Sequence, residues 1–444
     1  MKRKNFLRIG CGAGFSGDRI DPAIILAEKA ELDYLVLECL AERTIALAQK
    51  RKLLDASKGY DPLLEKRIAT LLPHLVKNNT RLITNMGAAN AIEAAKKIVE
   101  IAQHQSIKIK VAAITGDDVL TIIQQNPSSI NDLENDKPLS NHNIISANAY
   151  LGADVIVKAL QTGAQVIITG RVADPSLFLA PMIHEFGWDI NNYELMGKGT
   201  VTGHLLECAG QVTGGYFADG VKKKVNDLDT LGHPFADVFA NGTSIISKAD
   251  GTGGVVNLQT VKEQLLYEVM NPHEYFTPDV IADFTTVHLK ETGKDKVQVS
   301  GGGGKEKPST YKASIGYKAF YLGEGEISYA GAAAYERARL AADIIQKRLQ
   351  HIFKDMQVDF IGIQSMHKTT FDNTAIPYEV RLRVSTKAST AADAVLIGEE
   401  IEALYTNGPA GGGGARKYVN EVIGIVSALI DRNSISPQVK IFES

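Results

Sequence analysis

Residues 7–19 read L-R-I-G-C-G-A-G-F-S-G-D-R. A short apolar run from Asn5 to Ile9 breaks into Gly10, Gly12, Gly14 and Gly17, then meets Asp18 and Arg19, and Asp21-Pro22 opens a helical pattern. That is a strand, a turn stripped of side chains and a helix. Glycine lets a ligand approach the backbone closely, and α/β proteins place their sites beyond the ends of parallel strands. The turn is therefore read as one wall of a small-molecule site. Gly12, Gly14, Ser16, Asp18 and Arg19 are its candidate substrate-binding residues.

Working outward, the first half alternates strand and helix patterns. Strand-like runs are Phe6–Ile9, Tyr34–Leu37, Arg81–Thr84, Ile107–Ile114 and Gln165–Thr169. They are short and apolar on both faces, as buried parallel strands are. Helical patterns occupy 23–29, 41–54, 63–77, 91–103 and 150–162. Three helix starts read Asp-Pro, at Asp21, Asp61 and Asp174, where Asp suits an N-cap and Pro the first turn. The spacing predicts an α/β fold with a parallel, Rossmann-like, doubly wound sheet; a closed barrel would take about eight strands before Gly210. Between Gln124 and Asn143 the pattern dissolves into a surface excursion or lid.

From about Gly210 the texture changes to glycine-punctuated β-prone runs, such as Lys296–Val299 and Tyr311–Ile315. Helical patterns return at 332–349, 390–404 and 419–429, and Val380–Val384 alternates apolar with basic residues, so one face of it should be wet. The expected organisation is a parallel α/β domain over 1–220 and an α+β domain over 221–444.

The bulk numbers exclude several classes. Apolar residues make up 44% and charged residues 22%, with a formal charge of -3. That gives no electrostatic case for nucleic acid or an anionic membrane. No apolar run reaches the ~18 residues of a membrane span. The basic start Met1–Lys4 leads into glycine rather than a long apolar segment, so no signal peptide is expected. Cys11, Cys39 and Cys208 are few enough to suit reduced thiols, and a cytoplasmic location is expected.

The strand ends carry the chemistry. Glu38 follows the second strand directly; a carboxylate held there is partly buried and needs a partner or a raised pKa. Asn85 ends the third strand, Asp117 and Asp118 follow the fourth, and Arg171 and Asp174 follow the fifth. Asp18, Asp117 and Asp174 can equally be helix caps, and the arginines can be their scaffold partners. If residues 199–208 are helical, His204 and Glu207 share a face at i,i+3, as an acid–base pair or a satisfied buried histidine. Glu38, Asp117 and His204 are the candidate catalytic residues, with Glu38 or Asp117 expected as the general base and His204 as the acid. Asn85, Asp118, Arg171 and Glu207 are added to the substrate-binding set. His204 and Glu207 could also be ligands for a divalent metal, but one His and one Glu are too few for a site, so no metal residue is assigned.

The turn is a poor dinucleotide fingerprint, because Phe15 stands at the third-glycine position, although Glu38 sits where a ribose-binding acid would. No phosphate-loop lysine is present in it. The cofactor stays unassigned. Gly408–Gly414 is barer than a helix stop requires and suits either an anion, beside Arg416 and Lys417, or a mobile loop.

Arg8–Asp21, Leu32–Thr44, Thr84–Asn90, Thr115–Val119, Thr169–Asp174, Gly203–Phe217 and Gly408–Gly414 resemble the acyclic terpene utilisation (AtuA) family. The resemblance covers nearly the whole chain. It implies a role in catabolism of acyclic isoprenoids or related branched acids, beside enzymes of acyl-CoA metabolism. Some members carry a further small ferredoxin-like domain at the C-terminus, which is not expected here. The site residues rest on the strand ends and not on the resemblance. Three readings follow: an enzyme of hydratase, lyase or isomerase type acting on a branched acyl-CoA or acid; a non-catalytic acyl-CoA binder or scaffold; and an NAD(P)-dependent oxidoreductase. A homo-oligomer is the expected assembly.

Overall fold

The computed structural model describes residues 5–125, 127–367 and 377–444. The basic start Met1–Lys4, and Asn126 within the polar excursion, lie outside the described residues. The first half runs β1 (Leu7–Ala13), α1 (Asp21–Lys29), β2 (Tyr34–Leu37), α2 (Glu42–Leu54), α3 (Leu64–Lys77), β3 (Arg81–Thr84), α4 (Ala91–His104), β4 (Lys110–Thr115), α5 (Leu120–Gln125), β5 (Ile144–Ala149), α6 (Ala153–Gln161), β6 (Val166–Ile168), α7 (Ser176–Phe186) and α8 (Tyr193–Glu207). Next come β7 (Pro234–Val238), β8 (Ser244–Lys248), α9 (Leu258–Leu266), β9 (Tyr275–Phe276), β10 (Ile281–Asp283), β11 (His288–Gly293), β12 (Lys296–Ser300) and β13 (Gly303–Lys305). The remainder is β14 (Thr310–Ala330), α10 (Ala334–Leu349), β15 (Met356–Ile361), β16 (Glu379–Ala388), α11 (Ala391–Asn407), β17 (Gly413–Asp431) and β18 (Gln438–Glu443).

The fold is mixed α/β. Its large sheet has ten strands in the order β11-β12-β8-β7-β1-β2-β3-β6-β4-β18. The central neighbours β1, β2, β3, β6 and β4 pair in parallel. The flanking pairs are antiparallel, β7 on β1 at one side and β18 on β4 at the other. A doubly wound sheet has parallel neighbours on both sides of its first strand; here β1 has parallel β2 on one side and antiparallel β7 on the other. The change of sequence texture near Gly210 marks this passage from parallel to antiparallel pairing. β9, β10 and β13 form a separate small antiparallel sheet.

Burial explains the continuous apolar runs. Leu35, Leu37, Leu82, Val111 and Val166 join Leu26, Ile68, Leu71 and Ile98 of α1, α3 and α4 in one core cluster. Their alternates Val36, Ile83, Ala112 and Ile167 are also fully buried, so both faces of the sheet are covered. Burying each such aliphatic side chain contributes about 1.5–3 kcal/mol. No helix among the described residues is long and apolar enough to cross a membrane.

The chain divides into two compact units, residues 1–316 with 425–444, and residues 317–424. These units divide the chain elsewhere than at residue 220. In the second unit, β16 pairs antiparallel with β15 and with the 321–330 part of β14. Val380, Leu382 and Val384 are buried there among α10 and α11, while Arg381 and Arg383 pair with Glu326 and Asp359, so the alternation in β16 is real. The helix expected over 419–429 is instead part of strand β17. Val419, Val422, Ile423, Ile425 and Val426 are β-branched, and that content favours a strand over the apolar spacing that suggested a helix. The glycine run at Gly411–Gly414 passes from α11 into β17, with Gly411 and Gly414 at φ of +74° and +64°.

Candidate active site

In the first unit a cavity of about 680 Å3 opens where the parallel strands end. The turn after β1 forms one wall through Gly14, Phe15, Asp18 and Arg19. Gly14 is there because of a close approach: a Cβ on it would lie 2.5 Å from the backbone carbonyl carbon of Cys208, at the end of α8. Gly10 and Gly12 do different work. They lie within β1, where added Cβ atoms would meet Leu32 at 2.8 Å and Leu37 at 2.7 Å, so they make room for core packing. Gly12 does not line the cavity, and neither does Ser16. Asp18 closes the turn by accepting the Gly14 and Phe15 N–H groups at 2.7 and 3.3 Å. Buried Arg67 of α3 holds it from below, donating to the carbonyls of Ser16 and Asp18 at 2.9 and 2.6 Å. Arg19 is exposed, and its Nη1 clamps the carbonyls of Leu228 and Asp229 at 3.0 and 2.9 Å.

Glu38 lies on the cavity wall just past β2 and is 7% exposed. Its Oε1 accepts the Leu40 N–H at 2.9 Å and the Asn85 Nδ2–H at 2.8 Å. Asn85 is fully buried behind it, and its own carbonyl oxygen accepts the Cys39 N–H at 2.7 Å. The two adjacent strand ends are thus locked together by side chains.

Arg171 carries the next link. Its side chain is buried, lies 4.0 Å from the centre of the Tyr150 ring, donates to the Leu40 carbonyl, and pairs with Asp174 at 2.9 Å. Asp174 is therefore an ion-pair partner on the cavity wall and not the side-chain cap expected for α7. Asp117 stands behind this layer. Its Oδ2 accepts the Arg171 backbone N–H at 2.9 Å and Asn148 Nδ2–H at 2.8 Å, so it fixes Arg171 without reaching the cavity. Asp118 caps the Leu120 N–H at 3.1 Å and takes Gln49 at 3.4 Å; it too lies off the cavity.

Residues 193–207 are helical, and His204 Nδ1 lies 2.9 Å from Glu207 Oε1. Glu207 faces the cavity; His204 does not, and its ring sits against Tyr275 and Phe284 with centroids 5.4 and 5.3 Å away. His204 meets the cavity wall through its bond to Glu207. Among the charged or titratable wall residues, His233 and Glu268 lie outside the strand-end reading, and Glu42, just past the second strand, is absent from its site set. Glu42 stands at the start of α2, a short connection after Glu38. It accepts the Tyr150 hydroxyl and lies 3.4 Å from Lys312. His233 precedes an antiparallel strand, where a search beyond strand ends does not look.

The cavity is acidic. Asp18, Glu38, Glu42, Asp174, Glu207 and Glu268 line it, against Arg19 at the rim and Arg171 behind the wall. Burial pushes Glu38 well above the usual carboxylate range; nearby Asp174 adds to this, while Arg171 and the bonds from Asn85 and Leu40 oppose it. Asp174 is raised to about 7, by burial and then by Glu207 and Glu42, against the pull of Arg171. Burial also raises Glu207, with the His204 bond opposing. Asp117 rises to about 6 on burial. Glu42 goes the other way: burial opposes ionisation, but Arg171 and the Tyr150 hydroxyl outweigh it and hold the group at about 2. One cavity thus holds two carboxyl groups whose pKa values are driven in opposite directions, Glu38 upward and Glu42 downward. Among the described residues, no three His, Cys, Asp or Glu side chains are grouped so as to hold a metal ion.

The chain matches the sequence model described as acyclic terpene utilisation family protein AtuA over residues 7–441. It belongs to that family. No curated protein matches it. Among solved structures, a homoserine dehydrogenase from Thiobacillus denitrificans aligns over 87% of this chain and 82% of its own, at 10% identity and a TM-score of 0.14, too low to carry an argument. The match takes in every cavity residue from Gly14 to Glu268.

Proposed function

We propose that this chain is a cytoplasmic enzyme of acyclic terpene breakdown that adds, removes or moves a proton and water at a branched carbon chain. The observation that carries the reading is the opposed pair Glu38 and Glu42 on one wall. Carboxyl groups driven apart in pKa mark an acid and an anion with separate tasks. Glu38 donates a proton to an alkene carbon or a departing hydroxyl. Glu42, held ionised, stabilises the positive charge that develops at the branched carbon. Phe15, Pro22, Leu40 and Leu231 supply an apolar wall for the chain itself.

The excess of carboxylates favours a neutral head group, such as an alcohol or the acyl part of a CoA thioester, over a free acid. The phosphates of coenzyme A would stay outside, towards Arg19. The test is a thermal-shift screen over acyclic terpene alcohols, their acids and their CoA thioesters, with mass analysis of each mixture. A product formed by wild type and not by folded Glu38→Gln supports the reading. A shift without product identifies a binder instead, and equal turnover in both proteins removes Glu38 from the mechanism.

A further inference from the structure

His233 owes its place to strand direction. β7 runs antiparallel to β1, with Gly10 opposite Phe235 and Leu7 opposite Val238. The start of β7 therefore arrives at the edge where the parallel strands end. His233, one residue before β7, reaches the same cavity as Glu38, Glu42 and Asp174.

His233 is 4% exposed, and its Nδ1 lies 3.2 Å from the Gly12 carbonyl oxygen. A carbonyl only accepts, so in the neutral ring Nδ1 carries the hydrogen and Nε2 keeps its lone pair. Nε2 lies on the Gly210 side, where a Cβ added to that glycine would come within 3.6 Å of it. Asp18 and Arg19 from the β1 turn and Arg67 from α3 are the charged groups around the ring. Burial favours the neutral imidazole over the opposing pull of Asp18, and both arginines act in the same direction as burial.

We propose that His233 is a catalytic residue of this cavity, its Nε2 accepting the proton that the reacting water gives up. The proposal rests on the acid–base reading above and completes it, since Glu42 is too acidic to serve as a base near neutrality. In the hydration direction the alkene π pair forms a C–H bond with the Glu38 proton. A water lone pair then forms the C–O bond, and the released water proton passes to Nε2. Dehydration is the reverse, and nothing is oxidised or reduced.

Two measurements on the wild-type chain test the geometry without any substrate. Nitrogen-15 correlation spectra at pH 7, assigned by loss of the signal in His233→Gln, should show the Nδ1–H form. Diethyl pyrocarbonate, which acylates an unprotonated imidazole nitrogen, should label His233 at pH 7. His104, with a side chain 79% exposed, is the accessible reference for labelling in the same sample. An Nε2–H form, or a His233 that stays unlabelled while His104 reacts, overturns the assignment. On the compound turned over in the screen above, His233→Gln can keep a donor to Gly12, yet should lose about 10²–10⁴-fold in kcat with KM within about threefold. An unchanged kcat in the folded variant overturns the role of His233 while leaving Glu38 standing, whose own variant tests the earlier reading.

Discussion

Asn85 holds Glu38 from behind, giving Nδ2–H to its Oε1 at 2.8 Å while taking the Cys39 N–H at 2.7 Å on the opposite end of the same amide. Both bonds are buried, so one side chain orients the candidate acid and satisfies the backbone that follows it. The bond to Glu38 favours the ionised carboxylate, and burial opposes it.

Asn85→Ala should leave the Cys39 N–H unpaired and cost about 1–3 kcal/mol of stability in urea unfolding. It should also move the alkaline limb of activity to higher pH, because Glu38 loses a bond that favours its ionised form. A limb that moves to lower pH would contradict this account of the pair.

Arg171→Met should destabilise the chain by about 1–3 kcal/mol at pH 7.5, because Asp174 and Glu42 lose the charge that balances them while their part-exposed side chains keep some water. The loss should shrink at pH 5, where Asp174 takes up a proton. Equal losses at the two pH values in guanidinium unfolding would show that packing against Tyr150, and not charge, is what the arginine supplies.

Asp174 also fixes a pH dependence. Its folded pKa of about 7 lies above the ordinary 3.8, so between these values the folded state holds a proton that the unfolded state has released. Its contribution to stability is fully present below about pH 4 and is lost as pH rises towards 7. Wild type should therefore lose ground to Asp174→Asn across that window, read as urea midpoints at pH 4.5, 6 and 7.5. A wild type that gains on the variant with rising pH would reverse the sign.

Much of this was legible in the chain. Tyr34–Leu37 and Arg81–Thr84 are strands as read, because continuous aliphatic runs have few other uses in a protein this polar elsewhere. The convergence of Glu38, Asn85 and Arg171 followed from parallel strands ending on one edge. Three things could not be read there. Asp117 is held in the layer behind the cavity by the Arg171 N–H and by Asn148, partners that its own strand end does not reveal. Glu38 is raised by burial and by Asp174, whereas Glu42 is lowered by Arg171 and the Tyr150 hydroxyl, and all of these partners are far away in sequence. His233 enters by an antiparallel strand, and pairing direction is set by the whole sheet rather than by neighbouring residues.

The pairing of β18 with β4 has a consequence for synthesis. Ile109, beside β4, donates its N–H to the Ser444 hydroxyl, 335 positions further on. At ordinary elongation rates the two are made tens of seconds apart. Until then the outer rim of β4 offers unpaired amides and carbonyls to any passing extended peptide. The nascent chain should thus depend on a holding chaperone until β18 is delivered, and the hazard ends when β18 pairs with β4.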